Sequence, residues 1–252
     1  FCPDDMELIR GGPAVRRRLM DLAVCQLRPN YAGCLARFNK YCEHKLKILR
    51  EWRDKPSLLD VLDDFNESLA RLGAQLIYYR AAWCRRLAEY AGAVHAEVSG
   101  RGERLELKYK TVKTLPEPEG LRPQEIFTAL MEHQQSHRRA ELDSGQCLTG
   151  AHKDDLEIFI NGRPARSFAS QGQTRTAALS MKLAEREIFL AETGEYPILL
   201  LDDVLSELDE KRQKFVLNRI GGGQTLITCC EDEEISSRTG GKVLFVENGR
   251  IH

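Results

Sequence analysis

Apolar residues return at steps of three and four along the first hundred positions of this chain, a pattern that predicts helices. Pro13 suits a first helical position, and Ala14 to Leu27 read as a short helix closed by Pro29. Between 31 and 53 the apolar stripe is Leu35, Phe38, Cys42, Leu46 and Leu49. Pro56-Ser57 punctuates the chain, with Ser57 as the expected N-cap and Asp60 three residues on. From 58 to 98 a seam of Leu62, Phe65, Leu69, Leu72, Leu76, Tyr79, Trp83, Leu87, Tyr90 and Val94 follows a coiled-coil-like pattern. As one helix it would measure about 60 Å at ~1.5 Å per residue. Gly73 weakens it by roughly 1 kcal/mol and is a candidate break. The simplest packing sets this helix against its predecessor as an antiparallel pair. Phe1 to Gly12 read as an irregular lead-in.

The period then shortens to two. Leu105, Leu107 and Tyr109 alternate with Glu106, Lys108 and Lys110, which predicts a half-exposed strand over 103–112. A Pro/Glu-rich connector and a charged helix from Gln124 to Leu142 follow. Asp155 to Ile160 and Arg163 to Phe168 flank Asn161-Gly162, a strong hairpin signal. A helix should begin at Ser170-Gln171-Gly172-Gln173 and run until Gly194. Ile198 to Leu201 is all apolar and suits a strand covered on both faces, ending on Asp202-Asp203. A helix over 210–220, a second buried strand from Thr225 to Thr228, and a hairpin of Val243 to Val246 with Asn248-Gly249 complete the chain.

Composition narrows the classes. With 252 residues, 30% charged and 42% hydrophobic, the chain can bury a core as one large or two smaller domains. No apolar run approaches the ~20 residues that cross a bilayer, and no stretch resembles a signal peptide. The eight cysteines include no C-x-x-C pair and read as reduced cytoplasmic thiols. His133 and His137 lie four apart, but Gln134 stands where an H-E-x-x-H zinc site needs glutamate.

Charge changes the picture more. The net charge is −1, yet residues 10–55 hold 12 Lys/Arg against 4 Asp/Glu. Arg16, Arg17 and Arg18 fall on a first helical turn, where cations oppose the helix dipole, so a binding or pairing role is expected. Arg37, Lys40, His44 and Lys47 make a basic stripe opposite the apolar one. A solvated cationic face explains the stripe, and so does a track for DNA phosphates.

Two features carry candidate chemistry. The mouth of the helix at Ser170 and Gly172 offers free N–H groups, a hydroxyl and the positive dipole end, which suits an anion. An apolar strand that delivers Asp202 and Asp203 to its C-terminal edge suits Mg²⁺ and a water. The loop G-x-x-x-x-G-K-[ST] is absent, since Gly240-Gly241-Lys242 runs into Val243 without the first glycine.

SQGQ, LLLDD and SELD resemble the signature motif, Walker B and D-loop of ABC-type ATPases. GAHKDDL with FASQGQTRTAALSMKLAE, and the opening FCPDDMELIRGGPAVRRRLMD, resemble the RecF family of bacterial DNA-repair proteins. The resemblance implies an α/β fold: an incomplete ABC-type (P-loop) ATPase head with an inserted helical lobe. Residues 1–12 would lead in from a missing head segment, 13–98 form the lobe, and 99–252 supply the rest of the head. Because the family's phosphate loop lies N-terminal to the segment matching Phe1, a fragment inactive by itself is expected. Ser170, Gln171, Gly172 and Gln173 would contact ATP held by the opposite subunit. Asp202 would organise Mg²⁺, Asp203 would polarise the attacking water, and Ser206 and Asp209 would line the dimer interface. Thr228-Cys229-Cys230 stands where ABC transporters carry a switch histidine. His152, Asp154 and Asp155 match a family motif for which a structural role at the head–lobe junction is expected.

The implied activity is slow, DNA-dependent ATP hydrolysis in a cytoplasmic homodimer. It would bind duplex DNA and single-strand/duplex junctions and load recombinase with RecR and RecO during recombination and the SOS response. The alternatives are a non-catalytic DNA- or partner-binding fragment, and another SMC-class head, against which the short lobe argues.

Overall fold

The computed structural model describes the whole chain except Arg101, Val204, Ser206, Glu207, 230–239, Asn248 and His252. It divides into two compact units, one formed by Met6–Ile188 and the other by Phe1–Asp5 with Phe189–His252.

Helices dominate the first unit. The lead-in is more ordered than its sequence suggests: a 3-10 turn at Pro3–Met6, which up to Asp5 belongs to the other unit, precedes a helical turn, α1 (Glu7–Arg10), with Leu8 and Ile9 buried. Pro13 opens α2 (Pro13–Leu27), and Pro29 opens α3 (Pro29–Glu51). Ser57 caps nothing. It sits in a 3-10 turn, Pro56–Val61, and the long helix α4 begins only at Leu62 and ends at Val98. Its 37 residues span about 56 Å. Gly73 does not break it. A Cβ there would lie 3.3 Å from Leu130 and 3.4 Å from Phe38, so the glycine admits neighbouring side chains at close range. Helices α2, α3 and α5 (Pro123–Ser144) all pack on α4, which is the spine of the unit.

Strand β1 (Leu105–Lys110) pairs antiparallel with β2 (Asp155–Ile160), with Leu105 opposite Ile160. Asn161 and Gly162, at φ 52° and 74°, form the expected tight turn. The returning strand β3 is only Arg163–Pro164, because Ala165–Phe168 coil into a turn of helix, α6. The strand expected from Arg163 to Phe168 is corrected accordingly. Helix α7 runs from Gln171 to Thr193 and stops at Gly194 (φ 79°), with its residues up to Ile188 in this unit.

In the other unit β4 (Leu199–Asp202) and β5 (Thr225–Thr228) are parallel neighbours joined through α8 (Glu210–Arg219). The backbone of Phe1 pairs with the free edge of β4. Its nitrogen donates to the Leu200 carbonyl, and its carbonyl accepts from Asp202 N–H at 2.9 Å. Neither strand is covered on both faces: Leu199 and Leu201 are buried, but Leu200 is 55% and Leu226 51% exposed. The chain's own apolar cover reaches one side of this sheet. The terminal hairpin is shorter than expected, β6 (Val246–Glu247) with β7 (Arg250–Ile251), and Asn248 lies outside the described residues. No helix among the described residues is long and apolar enough to cross a membrane.

Candidate functional site

The mouth of α7 is built by a reciprocal cap. Ser170 Oγ accepts from Gln173 N–H at 3.2 Å, while Gln173 Oε1 accepts from Ser170 N–H at 2.9 Å. The amides of Gln171 and Gly172 have no hydrogen-bond partner among the described residues, as first-turn geometry dictates. Because Ser170 Oγ serves the cap as an acceptor, its own hydrogen is free to donate outward. Two amides and a hydroxyl therefore face solvent at the positive end of a 23-residue helix. A Cβ at Gly172 would meet nothing within 4 Å, so the chain's packing does not require glycine there. The open backbone leaves room for an anion to approach.

The carboxylate pair lies at the end of β4. Asp203 takes a left-handed φ of 50°, turning the chain sharply out of the strand. Its N–H reaches both the Thr228 carbonyl (3.2 Å) and the Thr228 hydroxyl (3.1 Å). That hydroxyl donates to Asp202 Oδ1 at 2.6 Å, so Thr228 orients one carboxylate and anchors the backbone of the next. Thr228 occupies the position compared with a switch histidine, and its hold on Asp202 was not legible in the sequence. Mg²⁺ suits this donor set. Asp202 is exposed and keeps its second oxygen, and magnesium binds through one or two carboxylates plus water and phosphate. No cluster of three His, Cys, Asp or Glu able to hold a metal occurs among the described residues. Asp209 caps α8 by accepting from Arg212 N–H at 2.9 Å, and that bond lowers its pKa. Ser206 lies outside the described residues, as does Cys230.

The His152–Asp155 motif forms a joint within the first unit, centred on Asp154. Asp154 is fully buried and accepts from Arg80 Nη1 at 2.7 Å and from Tyr109 OH at 2.5 Å. Arg80 also grips both oxygens of Asp21, at 3.0 and 3.1 Å, the Tyr31 hydroxyl at 2.9 Å and the Ala151 carbonyl at 2.7 Å. Burial works to lower the Arg80 pKa; Asp154 above all, with Tyr31, Tyr109 and Asp21, holds it well above its ordinary value. His152 donates from Nε2 to the Cys147 carbonyl at 3.1 Å and packs beside Phe38.

The same joint corrects part of the cationic set. Arg16 is 5% exposed, bonds Asp155 at 2.7 and 2.9 Å, and has no face left for DNA. Arg17 is half-buried and donates to the Asp154 carbonyl at 2.7 Å. Of the remaining candidates, Arg18, Arg37, Lys40 and Lys47 are exposed. Neighbouring Lys45, by contrast, is buried in an ion pair with Glu141 at 2.6 Å. His133 and His137 stack at 4.0 Å, with His133 Nδ1 2.8 Å from the Thr149 hydroxyl.

An α/β arrangement with a donor-rich helix mouth, a parallel strand ending in paired carboxylates and a large helical lobe defines a portion of an ABC-type ATPase head. No protein-family model matches the chain. It is 39% identical over 254 residues to the DNA replication and repair protein RecF of Acetivibrio thermocellus, covering all of this chain and 68% of that protein. RecF of Listeria innocua is 37% identical over 258 residues, with the same coverage. Two solved structures of the recombination mediator protein RecF in the RecFOR pathway also match. The one with ATPγS has a TM-score of 0.88 at 33% identity, over 100% of this chain and 66% of that one. The one with ATP has a TM-score of 0.83 at 34% identity, over 92% and 62%. The chain belongs to the RecF family, and it spans about two thirds of the length of the relatives it matches.

Proposed function

We propose that this chain supplies the signature and carboxylate halves of a DNA-repair ATPase that dimerises on ATP and grips duplex DNA with its lobe. The observation that carries the reading is the open set of donors at Ser170, Gln171 and Gly172, in a chain 33% identical to a RecF solved with an ATP analogue. Those donors would receive the γ-phosphate of ATP held by a second subunit. Gln173 would keep the turn in shape, and Asp209 would line the interface.

Mg²⁺, when bound, neutralises phosphate charge, and Asp202 is the residue that would hold it, directly or through water. Asp203 would accept a proton from the attacking water. Its left-handed φ decides how to test that role. Alanine at 203 adds about 1–2 kcal/mol of backbone strain, whereas asparagine tolerates the conformation. With the family's phosphate-loop segment joined N-terminally, Asp203→Asn should still dimerise on ATP but turn over about a hundredfold more slowly or worse. Turnover within threefold of the parent in a steady-state phosphate assay would remove Asp203 from the reaction.

The exposed stripe of Arg37, Lys40 and Lys47 supports duplex binding, which single-strand junctions and partners such as RecR and RecO would then direct toward recombinase loading. Reversing all three to Glu should weaken binding equally for unrelated DNA sequences. It should also flatten the slope of log K against log salt by ~0.9 for each phosphate no longer neutralised. Fluorescence anisotropy at several salt concentrations checks this, and a folded triple variant with the parent's affinity and slope returns the stripe to a solvated face.

A further inference from the structure

We infer that Glu103 is a positioning residue for the signature turn, clasping the first turns of α7 to the last turn of α4. The inference rests on the reading of Ser170–Gly172 as a phosphate-binding element. Glu103 lies in the short link between Val98, where α4 ends, and Leu105, where β1 begins. Both of its oxygens are engaged. Oε1 accepts from Gln173 Nε2 at 2.8 Å, and Oε2 lies 3.3 Å from His95 Nε2. His95 is fully buried in the last turn of α4, and its Nδ1 lies 3.3 Å from Ser180 Oγ. Ser180 donates to the Thr176 carbonyl at 2.7 Å. The path thus leaves α7 at Gln173, crosses Glu103 and His95, and re-enters α7 at Ser180.

This clasp decides which way the Gln173 amide faces. With Nε2 held by a carboxylate, Oε1 must point to Ser170 N–H, the bond that closes the cap. The flipped amide would set an NH₂ against Ser170 N–H and a carbonyl against Glu103, two repulsions at once. The third position of such a cap accepts Glu or Gln in general. Here glutamate would bring two carboxylates together, so the clasp selects glutamine. Because α3 packs on α4, the helix with the basic stripe and the turn with the phosphate donors share one spine.

The test uses Glu103→Ala, Glu103→Gln and Gln173→Glu. In Glu103→Ala and Gln173→Glu, amide exchange at Ser170 and Gln173 should quicken about tenfold, while Glu103→Gln, which keeps an acceptor for Gln173, stays within about threefold of the parent. With the phosphate-loop segment joined, ATP-driven dimerisation should weaken about tenfold in Glu103→Ala. In a Gln173→Ala background the same change should add nothing, because its effect runs through that side chain. A general loss of stability would instead add in both backgrounds, and that additivity overturns the inference. Unchanged exchange at Ser170 and Gln173 overturns the positioning role alone. Faster exchange, with dimerisation untouched in both Glu103→Ala and Ser170→Arg, overturns the phosphate reading of the turn and the positioning role with it.

Discussion

Ser170→Arg, with the family's phosphate-loop segment joined N-terminally, should abolish ATP-driven dimerisation while sparing ATP binding. The serine does two things at the mouth of α7: its oxygen holds Gln173 N–H, and its hydrogen faces solvent beside two unpartnered amides. Arginine loses the cap, at about 1 kcal/mol, and fills the space through which a partner's phosphate must approach. Ser170→Gly separates the two effects. Glycine caps nearly as well as serine, within a few tenths of a kcal/mol, so it removes the hydroxyl donor while leaving the mouth open. Light scattering with ATP should show no dimer for Arg and a weakened one for Gly. An arginine variant that dimerises like the parent would falsify the trans role of the turn.

The second large effect is structural. Arg80→Met should destabilise the chain by about 3–5 kcal/mol, the cost of removing one partner from a buried charged network. Arg80 bonds two carboxylates, a phenol and a carbonyl drawn from α2, α3 and the segment leading into β2. Without the guanidinium, Asp154 stays fully buried, its charge no longer met by a cation although the Tyr109 hydroxyl still donates to it. Pairing Arg80→Met with Asp154→Asn should recover part of the loss, since the orphaned charge disappears. Urea denaturation measures both, and a single variant within 1 kcal/mol of the parent would show that the network adds little to stability.

Periodicity reveals the helices because their apolar seams are local. The seam from Leu62 to Val94 belongs to one helix, and Gly73, ambiguous by propensity, is a point of close packing. Arg163–Phe168 misleads because a two-residue strand and a single helical turn are too short for any period to distinguish. The donor-rich turn at Ser170 and the carboxylates at 202 and 203 are legible, since each is a short motif at an element boundary. Buried charge is not. Arg16 finds Asp155 across 139 positions, and Glu103 finds Gln173 across 70, so no local pattern separates these residues from solvated neighbours. The exposed face of β4 escapes the sequence because an apolar run reports hydrophobicity and not what lies against it.

The pairing of Phe1 with β4 bears on the order in which these elements can assemble during translation. Its partners are 199 positions apart. At typical elongation rates the ribosome needs about 10–40 s to traverse that interval. Residues 6–188 are contiguous and can condense within it, whereas the segment at Phe1 meets β4 only once that strand has emerged. A stretch synthesised well before its partner is thus among the last to find this partner.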